Sequence, residues 1–197
     1  MTSNVVLVRH ARVAECYDGI CYGRSDVSLG PEGLEESDRL AEILSSWPIR
    51  FLVTSPAARA HALATRIAER TGLEMIIEPA LFERDFGAWE MRSWDSIYGE
   101  VGDALSGLIH EPESYRPPGG ETTGELRDRA VSWYVRRPRG GLVVVVAHGG
   151  PIAAIRGTLA SKEPVDWVDL IPQPGSWVEL KGEIAEMSYA SKGTGPV

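Results

Sequence analysis

Short apolar runs rich in β-branched residues recur at 4–8, 51–54, 75–77 and 142–147, and helical patterns lie between several of them. This alternation constrains the chain more than any other feature. A strand buried on both faces reads as a continuous apolar run, and helices between such strands are what cover the two faces. The expected fold class is therefore α/β, a three-layer α/β/α sandwich around a mainly parallel central sheet. No repeat or long linker divides the 197 residues, so a single domain over 1–197 is expected, with SKGTGPV at 191–197 a frayed tail.

The helices can be placed from their punctuation. Pro31 suits a first turn, and the helix after it is expected to carry Leu34, Leu40, Ala41 and Leu44 inward until Trp47-Pro48 ends it. Ser55-Pro56 reads as the N-cap and first-turn proline of a second helix, with Leu63 and Ile67 inward and Thr71-Gly72 as its stop. Between 93 and 108, Gly99, Gly102 and Gly107 each cost about 1 kcal/mol relative to alanine, which predicts an irregular or broken helix. EPESYRPPGGE at 111–121 is loop by composition, and Thr122 with Glu125 offers a capping box for a helix ending before Pro138. Gly149-Gly150-Pro151 opens a last helix with Ile152, Ile155 and Leu159 on one face. Residues 176–180 and 183–189 read as a terminal hairpin, whose exposed edge would permit a homodimer.

Charge and cysteine usage narrow the partners. With 20 basic and 28 acidic side chains the net charge is −8, so neither a nucleic-acid backbone nor an anionic membrane surface is an expected partner. Any bound anion must meet a local cluster of positive charge. The longest apolar run, 142–147, falls far short of the roughly twenty residues that span a bilayer, and no basic segment followed by an apolar one opens the chain. Cys16 and Cys21 match no zinc or CxxC redox spacing, which suits two free thiols in a reducing cytoplasm.

The chemistry-bearing residues fall beyond strand ends. Arg9-His10 follows the first run, Ser55 and Arg59 the second, Glu83 the third, and His148-Gly149-Gly150 the fourth. The carboxyl ends of parallel strands border the ligand crevice of an open α/β sheet, so these residues are predicted to share one pocket. The helices near Pro56 and Pro151 would aim their N-termini at it, favouring an anion such as phosphate. No HExxH, DxD or Walker lysine is present, so no metal or other cofactor is expected. A lone histidine after a strand is more often structural than catalytic; the pairing of His10 with His148 and Arg59 reverses that reading. His61 and His110 are left outside the set, as a rim or surface residue and a surface residue.

VRHARV at 8–13, SPAARA at 55–60, LFERDFGAWE at 81–90, PGGET at 118–122 and AHGGPI at 147–152 together resemble the histidine phosphatase family, also called phosphoglycerate mutase-like. The match is collinear over about 5–180. CYGRSDVSL at 21–29 and DFGAWEMRSWDSI at 85–97 look most like the branch containing the alpha-ribazole phosphatases of cobalamin synthesis. The resemblance implies a phosphomonoesterase acting on a small phosphorylated metabolite, with alpha-ribazole 5'-phosphate the best single candidate. His10 would be the nucleophile, Arg9 and Arg59 would hold phosphate oxygens, and His148, as a cation, would donate to them together with the Gly149 N–H. Glu83 would protonate the departing alkoxide and then deprotonate the attacking water. Tyr22 and Gly23 fall where relatives approach the phosphate with backbone groups, although a tight turn around glycine explains them equally well. Trp89 and Trp94 are expected to be packing residues before they are stacking platforms, and Arg12 and Arg24 either reach substrate or are solvated.

Two departures from the family pattern stand out. Ala11 replaces the glycine that usually follows the nucleophilic histidine, and its methyl group would crowd an approaching phosphate; Cys16 stands where many mutases have a phosphate-binding asparagine. Loss of that donor argues for hydrolysis over the alternative of a phosphoglycerate mutase. A second alternative, a non-catalytic phosphate-sensing interaction protein, is disfavoured by the intact set of His10, Arg9, Arg59, Glu83 and His148.

Overall fold

In the computed structural model, which describes residues 4–180, the four apolar runs become the strands of one sheet. In chain order the elements are β1 (Val5–Arg9), β2 (Ile20–Cys21), α1 (Pro31–Ser45), β3 (Ile49–Thr54), α2 (Ala58–Thr71) and β4 (Met75–Ile77). They are followed by β5 (Arg92–Ser93), α3 (Trp94–Val101), α4 (Gly107–His110), α5 (Thr123–Arg136), β6 (Leu142–Ala147), α6 (Gly149–Leu159) and β7 (Trp177–Leu180). The sheet order is β4-β3-β6-β1-β7; the first four strands run parallel and β7 closes the edge antiparallel to β1. β2 and β5 form a separate antiparallel ribbon, which two-residue strands give no periodic signal to foresee.

Alternation along the strands fills two cores. Val5, Leu7, Val53, Val143 and Val145 point to one face and pack against Ala130, Trp133 and Tyr134 of α5 and Ile152 and Ile155 of α6. Val6, Val8, Leu52, Val144 and Val146 point to the other and meet Leu40, Ala41 and Leu44 of α1 and Ala60, Leu63, Ala64 and Ile67 of α2. Both faces are covered, which is the condition for a parallel sheet. Each fully buried Val or Leu contributes about 1.5–3 kcal/mol relative to exposure.

Local punctuation explains most helix ends. α2 stops where Gly72 turns left-handed at φ 71°, and Thr122 and Glu125 complete the capping box of α5. The broken helix expected at 93–108 is present: α3 ends at Gly102, and a 3-10 stretch, Gly102–Ser106, leads into α4. Two readings need correction. Leu34 is exposed, because the buried stripe of α1 runs through Gly33, Ser37, Leu40, Ala41 and Leu44. Gly33 takes that place because the Arg12 carbonyl passes too close for any Cβ there. Ser55 is not the N-cap of α2: the helix starts later, and Asp26 accepts the Ala58 N–H at 2.8 Å in the capping role. Of the expected terminal hairpin, β7 is seen; 183–189 and 191–197 lie outside the described residues.

Candidate active site

His10 just past β1, Arg59 in the first turn of α2 and His148 just past β6 are all buried, and Arg9 and Glu83 act electrostatically on this group. The imidazole rings of His10 and His148 lie edge to face with centroids 5.1 Å apart. His10 Nδ1 is 2.7 Å from the Ala11 carbonyl. A carbonyl only accepts, so Nδ1 carries the ring proton, and in a neutral ring Nε2 is then left with its lone pair. Burial first, and the Arg59 charge second, push His10 down from 6.5 to about 3, so the ring is neutral at pH 7. The Ala11 methyl is fully buried and lines neither cavity at the site, so it does not crowd a phosphate.

The cations are held by backbone carbonyls. Arg59 Nη2 donates to Gly23 O at 2.6 Å and Nη1 to Ser25 O at 2.9 Å, while the guanidinium lies over the Tyr22 ring at 5.0 Å. Arg9 Nη1 donates to Pro172 O at 2.9 Å. The Nε groups of both arginines are buried without a hydrogen-bond partner among the described residues, and Arg9 lines a cavity at the site. A glycine at 149 keeps this corner open, since a Cβ there would sit 2.9 Å from Ile171 Cγ2 and 3.5 Å from Arg9 Cζ.

The 22–25 turn is shaped by Glu90. Its carboxylate accepts from Arg24 N at 2.9 Å, Ser25 N at 2.7 Å and Phe86 N at 3.2 Å. Gly23, at φ 43°, leaves room for it, because a Cβ would come within 2.4 Å of Glu90 Oε1. Tyr22 and Gly23 thus serve the site through Arg59: the turn presents the carbonyls that aim the guanidinium. Nothing in the sequence marks Glu90 for this role: its place three residues beyond Gly87 gives no sign of it.

Glu83 sits across from the histidines, and its charge is felt at Arg59. Its carboxylate accepts from Gly150 N, 3.2 Å from each oxygen, and from Arg84 N at 2.8 Å. The N-terminus of α6 therefore points into the site as expected, whereas the first N–H of α2 is taken by Asp26. His148 differs from expectation. Its Nε2 is 2.7 Å from Ser55 Oγ, Nδ1 has no partner among the described residues, and burial with Arg59 and His10 nearby holds it well below 6.5. It is a neutral imidazole rather than a cation, and Ser55 is a site contact that an N-cap reading concealed.

A cavity of about 280 Å³ opens over Arg9, Glu83, Gly149 and Gly150 and is walled by Ile20, Phe86, Trp94, Leu126 and Ile171. A second, of about 390 Å³, adjoins His10, Arg12 and Tyr17, and Tyr22 lines both. Trp94 is on the wall of the first, in an edge-to-face contact with Phe86 at 5.3 Å, whereas Trp89 is buried packing. Burial and the nearby Glu90 push the Cys21 thiol up to about 12, so it is no nucleophile. His61 bonds Thr65 within α2, and His110 is exposed. Among the described residues no group of three or more His, Cys, Asp or Glu is placed to hold a metal ion, and no helix is long and apolar enough to cross a membrane.

The family model of the histidine phosphatase superfamily (branch 1) matches residues 5–190. A protein of Enterobacter sp. (strain 638) named as a probable phosphoglycerate mutase is 29% identical over 158 residues, covering 79% of this chain and 74% of its own. Among solved structures, a mycobacterial glucosyl-3-phosphoglycerate phosphatase is similar with a TM-score of 0.80 and 26% identity, over 92% of this chain and 91% of that one. The alpha-ribazole phosphatase of Shigella flexneri shares the fold with a TM-score of 0.76 at 22% identity, over 89% of each chain.

Proposed function

Because the chain belongs to the histidine phosphatase superfamily, branch 1, we propose that it hydrolyses a small phosphorylated metabolite through a phosphohistidine formed on His10. The observation that carries this reading is the His10 Nδ1–H bond to Ala11 O at 2.7 Å, which leaves a neutral ring with its Nε2 lone pair free. Nε2 attacks phosphorus, the P–O bond to the alcohol breaks, and Glu83 gives its proton to the departing oxygen. Glu83, now a carboxylate, takes a proton from water; the oxygen attacks phosphorus, the P–N bond breaks, and phosphate leaves with His10 restored. Arg9 and Arg59 spread planar, permanent charge over the equatorial oxygens. At an effective dielectric near 20 each such contact at about 4 Å is worth roughly 4 kcal/mol before desolvation, enough to outweigh a diffuse net charge of −8. Neutral His148 and the Gly149 N–H add donors.

Glu83 lines the same cavity as Phe86, Trp94 and Arg84, so the leaving group sits among these side chains. Phe86 and Trp94 suit a leaving group with a flat heterocycle, such as alpha-ribazole, while Arg84 on the same lining would suit the carboxylate of glycerate; sugar phosphates are the nearest competitors. The reading is tested by phosphate release from alpha-ribazole 5'-phosphate, p-nitrophenyl phosphate, 3-phosphoglycerate and sugar phosphates, with EDTA present. Turnover that disappears in His10→Ala is expected. Interconversion of phosphoglycerates without release would instead establish a mutase, and no reaction with any ester would sink the phosphatase reading.

A further inference from the structure

PGGET at 118–122 is the one motif that the proposed reaction does not use, and the structure places its glutamate in a second buried charge cluster behind the site. We infer that Glu121 and Arg129 form a positioning pair that sets the general acid Glu83, an inference that rests on the role proposed for Glu83.

Arg129, on α5, holds the chain on the approach to the acid. Its Nη1 donates to Ala80 O at 2.8 Å and Phe82 O at 2.7 Å, and its Nη2 to Glu83 O at 2.9 Å. Glu121 in turn fixes the guanidinium as a two-pronged partner, with Arg129 Nε on Oε2 at 3.0 Å and Nη2 on Oε1 at 2.6 Å. The same carboxylate reaches the chain beyond the acid, accepting Asp85 N at 3.0 Å, and it holds Arg24 Nη2 at 3.2 Å. The backbone on both sides of Glu83 is thereby tied to one ion pair, whose side chains are only 18% and 11% exposed and so little screened. Neither residue lines the cavity that holds the leaving group. The pair therefore touches no reacting atom, and its hydrogen bonds reach the site through the chain around Glu83. A lysine at 129 would bring the charge but not the planar fork that serves these acceptors at once.

Misplacing a proton donor by about 1 Å costs on the order of a hundredfold in rate, but only where the proton is needed. A nitrophenolate leaves without one; an alkoxide does not. The experiment compares kcat/KM, which reports phosphoryl transfer to His10, for p-nitrophenyl phosphate and for an alkyl phosphate in wild type, Glu83→Gln, Glu121→Gln and Arg129→Lys. Expected is a loss of about ten- to a hundredfold on the alkyl ester in both pair variants, with near wild-type values on the nitrophenyl ester and an unchanged fold by circular dichroism. Glu121→Gln keeps the side-chain shape and carries the test if Arg129→Lys does not fold. Equal losses on both esters, or none, would overturn the positioning role while Glu83→Gln still shows the leaving-group dependence. If Glu83→Gln itself shows none, the general-acid assignment falls and takes this inference with it.

Discussion

Lowering the pH from 7 to 5 should destabilise this protein through His10. The imidazole ordinarily titrates at 6.5 but is held at about 3 in the folded state by burial and Arg59. Below pH 6.5 the unfolded chain takes up a proton that the folded chain refuses, so the unfolded state binds more protons and stability falls as pH falls. The loss begins near 6.5 and continues towards 3. At pH 5 the distance below 6.5 corresponds to about 2 kcal/mol from this one ring. His148 is shifted in the same direction, by burial and by Arg59 and His10, and adds to the drop. The assay is urea unfolding followed by tryptophan fluorescence at pH 7, 6 and 5, for wild type and for His10→Asn, whose amide still reaches the Ala11 carbonyl but does not titrate. The variant should lose about 2 kcal/mol less than wild type between pH 7 and 5. Identical losses would refute the argument that a neutral, desolvated imidazole stands at position 10.

Other substitutions probe the remaining supports. Gly150→Ala puts a Cβ 2.1 Å from Glu83 Oε1, so kcat/KM on an alkyl ester should fall by about a hundredfold in steady-state assays while the fold survives. Ser55→Ala strips His148 Nε2 of its partner and should cost about 1–3 kcal/mol in urea unfolding. Leu44→Ala, fully buried between α1 and the sheet, should cost about 2–5 kcal/mol by the same measurement. Gly157→Ala would set a methyl group against the Trp167 indole, which donates to Lys162 O at 2.9 Å. A loss of about 1–3 kcal/mol, with a change in tryptophan emission, is expected there.

The sheet and the residues at its strand ends were legible because each signal is local. Val143 to Val146, short and wholly β-branched, read as a strand covered on both sides, and residues just past the carboxyl end of such a strand face the crevice. The errors share another origin: a neighbour distant in sequence decided the outcome. Leu34 obeys helical periodicity, yet the Arg12 carbonyl hands its place to Gly33. Ser55 has the chemistry of an N-cap, yet His148, just past the end of β6, claims its hydroxyl. The charge of His148 depends first on its complete burial and only then on the cations and second imidazole beside it, and burial is fixed only by the packed fold. Glu121 and Arg129 were invisible for a related reason. One lies before α5 and the other within it; they pair directly, and what ties the pair to the acid is the 80–85 segment that both hold, whose path is fixed only by the complete fold.

The strand order has a consequence for how the chain comes together. β1 and β3 never touch as a ladder; each pairs with β6, which stands between them and is made almost a hundred residues after β3. Until Leu142–Ala147 is available, the earlier strands have apolar faces but no shared centre. β3 and β4 can pair early, but joining β1 to them waits for a late, long-range closure, a topology that folds slowly. During synthesis the α1–α2 half emerges before the β6 residues that complete its core, Val144 and Val146, so that apolar surface is exposed in the meantime.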